Sequence, residues 1–155
     1  SHLRAADPAA AIYPKEMRIE SSRRGVPRLR ANVTATVPET LSISIAHKDA
    51  LALAMVGDQP VAIDIERIET RADSFVALAF TDAERALLVA EEDAATAITR
   101  GWVAKEVAGK LTGVGIGSQL RTLVVDARSG DDLCVNGRWV HTEKLANYVI
   151  GWLRQ

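Results

Sequence analysis

Apolar residues recur at every second position through residues 17–20, 28–34, 40–46, 50–56 and 60–68, and that period of two predicts β-strands. Gly25-Val-Pro27 and Val37-Pro38 interrupt the series, and Gly57-Asp58 predicts a hairpin turn joining the fourth strand to the fifth. After Asp73 the period changes. Phe75, Leu78 and Ala79, then Leu87 and Leu88, then Ala95, Ile98 and Trp102 are spaced for helices, with Thr81 and Glu84 forming a capping box between two of them. The helix through Trp102 should end at Gly113. Gly113-Val-Gly115-Ile-Gly117 closes a helix, whereas a dinucleotide fingerprint opens one, so this stretch reads as a C-cap and loop. Residues 120–126, 133–136, 139–142 and 147–153 return to strand pattern, with Asn136-Gly137 as a strong hairpin signal. The predicted class is α+β, an antiparallel sheet packed against helices, with no convincing internal repeat.

Composition narrows the class of partner. The 155 residues carry 19 Lys and Arg against 20 Asp and Glu, a formal charge of -1, which leaves no basic footprint for duplex nucleic acid. Arg18, Arg23, Arg24, Arg28 and Arg30 nevertheless cluster before residue 31, a patch suited either to phosphates and acidic proteins or to a solvated strand edge. Cys134 is the one cysteine, so a disulfide within the chain is excluded and a reducing, cytoplasmic setting is expected. No apolar run approaches the ~20 residues of a membrane span, so no membrane partner is expected. The opening Ser1-His2 reads as a tag scar and residues 4–14, rich in Ala, Asp and Pro, as a linker. The expected organisation is therefore residues 1–14 as scar and linker and 15–155 as one domain, cut from a longer polypeptide.

Two segments carry the candidate chemistry. In Val61-Ala-Ile-Asp-Ile-Glu-Arg67 the alternation turns Ile63 and Ile65 to one side and Asp64 and Glu66 to the other, about 6.6–6.8 Å apart along a strand. Two carboxylates on one face repel, and a hard divalent cation that takes oxygen ligands is the usual partner that offsets this. In Trp102-Val-Ala-Lys-Glu-Val-Ala-Gly-Lys110 the helical period sets Trp102, Glu106 and Lys110 on one stripe: an aromatic anchor, a carboxylate and an ammonium. Taken singly, each segment also fits a solvated sheet edge or helix face. Histidine 47 ends an apolar strand, where a hydrogen-bonded structural imidazole is the ordinary case, and Trp102 reads first as a core anchor.

The order and flanks of the two segments resemble the 4'-phosphopantetheinyl transferases, specifically the surfactin-synthetase-activating type, with its Gly-Ile-Asp-Ile-Glu strand and Trp-x-x-Lys-Glu-Ala/Ser-x-x-Lys helix. Gly25-Val-Pro27-Arg-Leu29 is similar to that family's Gly-Lys-Pro-x-Leu segment, Leu41-Ser-Ile-Ser-Ile-Ala-His47 to its Ile-Ser-His stretch, and Phe80-Thr-Asp-Ala-Glu84 to its Phe-x-x-x-Glu helix start. The five matches, in the family's order, cover roughly residues 25–117. Ala62, Ala46 and Val107 depart from the pattern without removing a ligand, and Val26 stands where the family has Lys, with Arg24 and Arg28 beside it.

The resemblance implies a phosphopantetheinyl-transferase-like fold, with a shortened first half because about sixty residues precede Asp64. It implies magnesium-dependent transfer of 4'-phosphopantetheine from coenzyme A to a serine of an acyl or peptidyl carrier protein, with release of adenosine 3',5'-bisphosphate. The parent polypeptide would be a polyketide synthase or another multidomain synthase, and the setting polyketide or fatty acid biosynthesis. Carried onto this chain, Asp64, Glu66 and Glu106 would hold the ion, and Lys105 and Lys110 would meet the developing phosphate charge. Glu106 would accept the serine proton, and His47, Lys48 and Arg24 would grip the coenzyme's phosphates. A monomer that completes its own coenzyme site is expected. A metal-dependent coenzyme A pyrophosphohydrolase and a non-catalytic carrier-docking domain are the alternatives, since the same residues would serve the first and the second needs no chemistry.

Overall fold

The computed structural model describes residues 17–22, 26–31, 41–89, 92–113, 116–117 and 120–154. Two hairpins come first, β1 (Met17–Ser21) with β2 (Pro27–Ala31) and β3 (Ser42–Lys48) with β4 (Leu51–Gly57). Then follow β5 (Val61–Arg67), three helices, α1 (Asp73–Ala79), α2 (Asp82–Val89) and α3 (Ala94–Thr112), and four strands, β6 (Val125–Ser129), β7 (Asp132–Val135), β8 (Arg138–Leu145) and β9 (Tyr148–Arg154). Strands β5 to β9 form one antiparallel sheet in the order β5-β9-β8-β7-β6. The last strand therefore pairs with the first, and β5, which carries the acidic pattern, lies at the sheet's end.

The α3 helix is the spine of the core. Its Val103, Ala104 and Val107 are fully buried against Ala62, Val149 and Val140 of the sheet, while Leu88 of α2 and Phe80 close the far side. Fully burying a valine or leucine side chain is worth about 1.5–3 kcal/mol, so this seam alone anchors the helix firmly. Gly151 of β9 makes the approach possible: a Cβ there would lie 2.5 Å from Val103 Cγ1. Gly101 plays the same part toward α2, where a Cβ would lie 2.6 Å from Leu88 Cδ1. Arg100, buried, clamps the other end of the helix by donating to both oxygens of Glu92, at 2.8 and 3.1 Å, and to the Thr142 hydroxyl on β8 at 2.6 Å.

Local signals hold where chemistry at one or two residues decides the outcome. The capping box forms, with the Thr81 N–H donating to Glu84 Oε2 at 2.8 Å and the Glu84 N–H to Thr81 Oγ1 at 3.3 Å. Asn136 and Gly137 both take positive φ, 49° and 76°, the geometry of a two-residue hairpin turn. Gly113 ends α3 in the left-handed region at φ 68°. The hairpin expected at Gly57-Asp58 does not form. β4 instead pairs with β3 through a turn at Asp49, whose φ is 52°, and β5 pairs with β9. Gly57 serves close packing, since a Cβ there would meet Val61 Cγ1 at 2.7 Å. The predicted strand at 120–126 begins instead at Val125, and residues 32–34 of the second predicted strand lie outside the described residues.

β3 lies beside the free edge of β5 without a backbone ladder. The Ser42 hydroxyl accepts the Val61 N–H at 3.2 Å and the Ser44 hydroxyl accepts the Ile63 N–H at 3.1 Å, so the two strands run in the same direction. Side chains thus satisfy backbone groups of β5 that a neighbouring strand would normally take, and a narrow seam separates the β3–β4 hairpin from the main sheet.

Candidate active site

Asp64 and the α3 stripe meet at this seam. Asp64 sits opposite Gly151 in the β5–β9 register, on the sheet face that α3 covers, so the same glycine that admits Val103 brings the helix down over the carboxylate. The helix itself is well defined at both ends. Asp93 caps it by accepting the Thr96 N–H at 3.0 Å, and Gly113 stops it one turn past Lys110. Along its length Glu106 and Lys110 are one turn apart on one side, and Trp102 one turn earlier meets Phe75 edge-on with ring centroids 4.9 Å apart.

The Lys110 ammonium donates to Asp64 Oδ1 at 2.8 Å and to the Ile63 carbonyl at 2.8 Å, and lies 3.5 Å from the Ile45 carbonyl across the seam. Asp64 is buried, at 8% exposure, and its Oδ2 has no hydrogen-bond partner. Burial pushes its pKa up, and Lys110 pulls it part of the way back. Glu106 stands half-buried nearby, with no hydrogen bond or ion pair to its carboxylate among the described residues. Burial first, then the charge of Asp64 and a smaller push from Glu66, raise its pKa from 4.5 to about 7, against the pull of Lys110. A carboxyl poised near neutrality beside a second carboxylate can exchange a proton at physiological pH.

Glu66 is held differently. Its Oε2 lies 2.6 Å from Lys48 Nζ and 3.1 Å from Arg71, whose other guanidinium nitrogen reaches Glu69 at 3.3 Å. The network continues through Arg67 to Asp49, which also accepts from the Tyr148 hydroxyl at 2.9 Å. Among the described residues no three His, Cys, Asp or Glu side chains converge as a preassembled metal cluster. Of the three carboxylates expected from the sequence, Glu66 is held by two cations through its Oε2, beside the pair Asp64 and Glu106, whose carboxyls are both raised. The pair itself suits a hard cation: one buried oxygen without a partner, one carboxylate without a donor, and repulsion between the two that an ion would relieve.

A model of the 4'-phosphopantetheinyl transferase superfamily matches residues 60–152, more than half of the chain. The chain belongs to that superfamily. A search of curated proteins returned no significant match. Superfamily membership assigns the domain to the transferases that modify carrier proteins, with coenzyme A as the family's substrate, and the matched span contains β5, all three helices, β6 to β8 and all but the last two residues of β9. The similarities noted at Gly25–Leu29 and Leu41–His47 lie ahead of it.

Within this transferase domain the remaining expected site residues separate. Lys105 is not at the site. Its ammonium is buried, donating to the Ala79 carbonyl at 2.6 Å, pairing with Glu84 Oε1 at 2.7 Å and lying 4.7 Å from the centroid of the Phe80 ring. One residue's difference from Glu106 turns it about 100° round the helix, toward α1 and α2. Glu84 is accordingly more than a cap. Burial opposes its charge, yet Lys105 and the N–H groups of Thr81 and Val125 hold its carboxyl below the usual range. His47 is exposed, on the face of β3 opposite Lys48, and Arg24 lies outside the described residues.

Three residues of the seam were not singled out from the sequence. Arg71 follows β5 in an irregular stretch and belongs to no motif; the alternating signs of Glu66, Arg67, Glu69 and Arg71 were its available signal. Ser42 and Ser44 were legible only as polar positions two apart on a strand, and their role depends on β3 facing an unpaired edge.

Proposed function

We propose that this domain transfers the 4'-phosphopantetheine group of coenzyme A to a serine of an acyl or peptidyl carrier protein, as a magnesium-dependent enzyme of the surfactin-synthetase-activating type. The observation that carries the reading is the joint placement of Asp64, Glu106 and Lys110, two carboxylates of raised pKa and an ammonium, at the end of the sheet in a chain of this superfamily. The serine oxygen forms a bond to the β-phosphorus of the pyrophosphate, the bond from that phosphorus to the bridging oxygen breaks, and adenosine 3',5'-bisphosphate leaves. The demands on the protein are to neutralise charge, place the reactants in line and take up one proton.

Asp64 and Glu106 would hold the magnesium ion, and Glu66, whose Oε2 is taken by Lys48 and Arg71, would join through its other oxygen. When bound, the ion polarises the pyrophosphate and offsets the charge that develops there. Glu106, whose carboxylate has no hydrogen bond or ion pair among the described residues, would accept the serine proton. Lys110 supplies a fixed positive charge at the mouth of the seam. On β3, Lys48 and the exposed His47, on opposite faces of the strand, are the candidate contacts for the coenzyme's phosphates, with Arg24 as a further candidate. The surfactin-type assignment rests on the two acidic motifs and the upstream similarities, the cytoplasmic setting on the single cysteine, and a parent multidomain synthase on the linker-like opening residues.

The test is incubation with coenzyme A, magnesium and a panel of apo carrier proteins, read by intact mass. A gain of one phosphopantetheine on a carrier serine is expected, falling at least ~100-fold in Asp64→Ala while the variant keeps its circular dichroism spectrum. Cleavage of coenzyme A with no carrier modified would replace the reading with pyrophosphohydrolysis, and Asp64→Ala at wild-type rate would remove the proposed site.

A further inference from the structure

The seam between β3 and β5 sets the geometry of the site, yet its polar ties are few. β3 has no backbone ladder to β5; Ser42 and Ser44 reach across to Val61 and Ile63, Lys110 touches carbonyls on both strands, and Lys48 pairs with Glu66. Ser44 is the central tie and is buried, at 5% exposure. Its partner, Ile63, precedes Asp64 and supplies the carbonyl on which Lys110 rests. The residues that differ across the seam also divide by role: Asp64, Glu106 and Lys110 belong to β5 and α3, whereas His47 and Lys48 belong to β3.

We propose that Ser44 is a positioning residue that fixes where β3, with its coenzyme-contacting side chains, stands relative to the reacting carboxylates. The inference rests on the transferase reading above. Without the hydroxyl, the Ile63 N–H faces an apolar methyl and β3 loses its central tether. Lys48 and His47 then sample a broader set of positions while Asp64, Glu106 and Lys110 keep theirs. The consequence falls on coenzyme binding, not on chemistry once the coenzyme is bound.

Ser44→Ala should raise KM for coenzyme A about tenfold, the value of one hydrogen bond, and leave kcat within about twofold. Ser44→Thr, which keeps the hydroxyl, should restore most of the loss. Asp93→Ala removes the cap at the distant end of α3 and serves as a destabilised control, expected to leave KM unchanged. Calorimetric binding of coenzyme A by the same proteins gives a readout independent of turnover. Equal kcat and KM effects, an unchanged KM in Ser44→Ala, a KM rise in Asp93→Ala as large as in Ser44→Ala, or failure of Ser44→Thr to rescue would each overturn the inference. Wild-type protein that binds coenzyme A without transferring it would defeat the transferase reading and leave the Ser44 effect to be read from the binding constant. Absence of both transfer and binding would defeat the two together.

Discussion

Replacing Glu106 with glutamine tests the electrostatics of the site in the free protein. The Glu106 carboxyl is raised from 4.5 to about 7 in the folded chain, chiefly by burial and then by Asp64. An acid whose pKa is raised on folding stabilises the fold fully below its unfolded pKa, and loses that contribution as pH rises through the folded value. The difference of about 2.5 units corresponds to a ceiling of ~3.4 kcal/mol at 1.36 kcal/mol per unit, and partial solvent access and coupling to Asp64 reduce it to roughly 1–3 kcal/mol. Glutamine keeps the shape without the charge. Glu106→Gln should therefore match wild type near pH 4 and exceed its stability by about 1–3 kcal/mol at pH 8, a gain of roughly 2–10 °C in Tm for a chain of this size. Urea or thermal unfolding of both proteins between pH 4 and 8, without divalent cation, reads the difference directly. Parallel stability curves across that window, or a variant less stable at pH 8, would refute the argument that Glu106 is held against its own charge.

Lys110→Met removes the donor from Asp64 Oδ1 and the Ile63 carbonyl, so it should lower turnover and also cost about 2–4 kcal/mol at pH 8, less as pH falls and the raised Asp64 carboxyl takes a proton. Unchanged stability at pH 8 would show that the ammonium is not engaged in the seam. Lys105→Met should cost a similar amount, about 2–4 kcal/mol, because Glu84 stays buried without its cation, but leave kcat per folded molecule unchanged. A large fall in kcat at unchanged stability would return Lys105 to the site. Gly151→Ala sets a methyl against Val103 under the helix and should cost about 1–3 kcal/mol in urea unfolding, with activity falling too because α3 is pushed away from Asp64.

Periodicity and single-residue turn chemistry made much of the fold readable in advance. The α+β class, the helix carrying Glu106, its end at Gly113, the Thr81–Glu84 box and the Asn136-Gly137 hairpin each depend on interactions within a few residues, which sequence spacing encodes. The acidic strand and its helical stripe were legible for the same reason. Strand pairing was less so: Gly57-Asp58 has the composition of a hairpin turn, but β5 found β9 across most of the matched domain, and Asp49 made the turn instead.

The sequence by itself determined which side chains share a face: Asp64 with Glu66 on β5, and Trp102, Glu106 and Lys110 on α3. Tertiary structure alone decided what each of them meets. Asp64 found Lys110 because Gly151 lets α3 lie close to the sheet, Glu66 was taken by Lys48 and Arg71 from separate segments, and Lys105, adjacent to Glu106 in the chain, was turned into a buried pair with Glu84. The physical reason is one of range. Backbone periodicity fixes direction over a few residues, whereas burial, the cost of an unpaired charge and the unpaired edge of β5 act between elements far apart in sequence, and those set the chemistry of the seam.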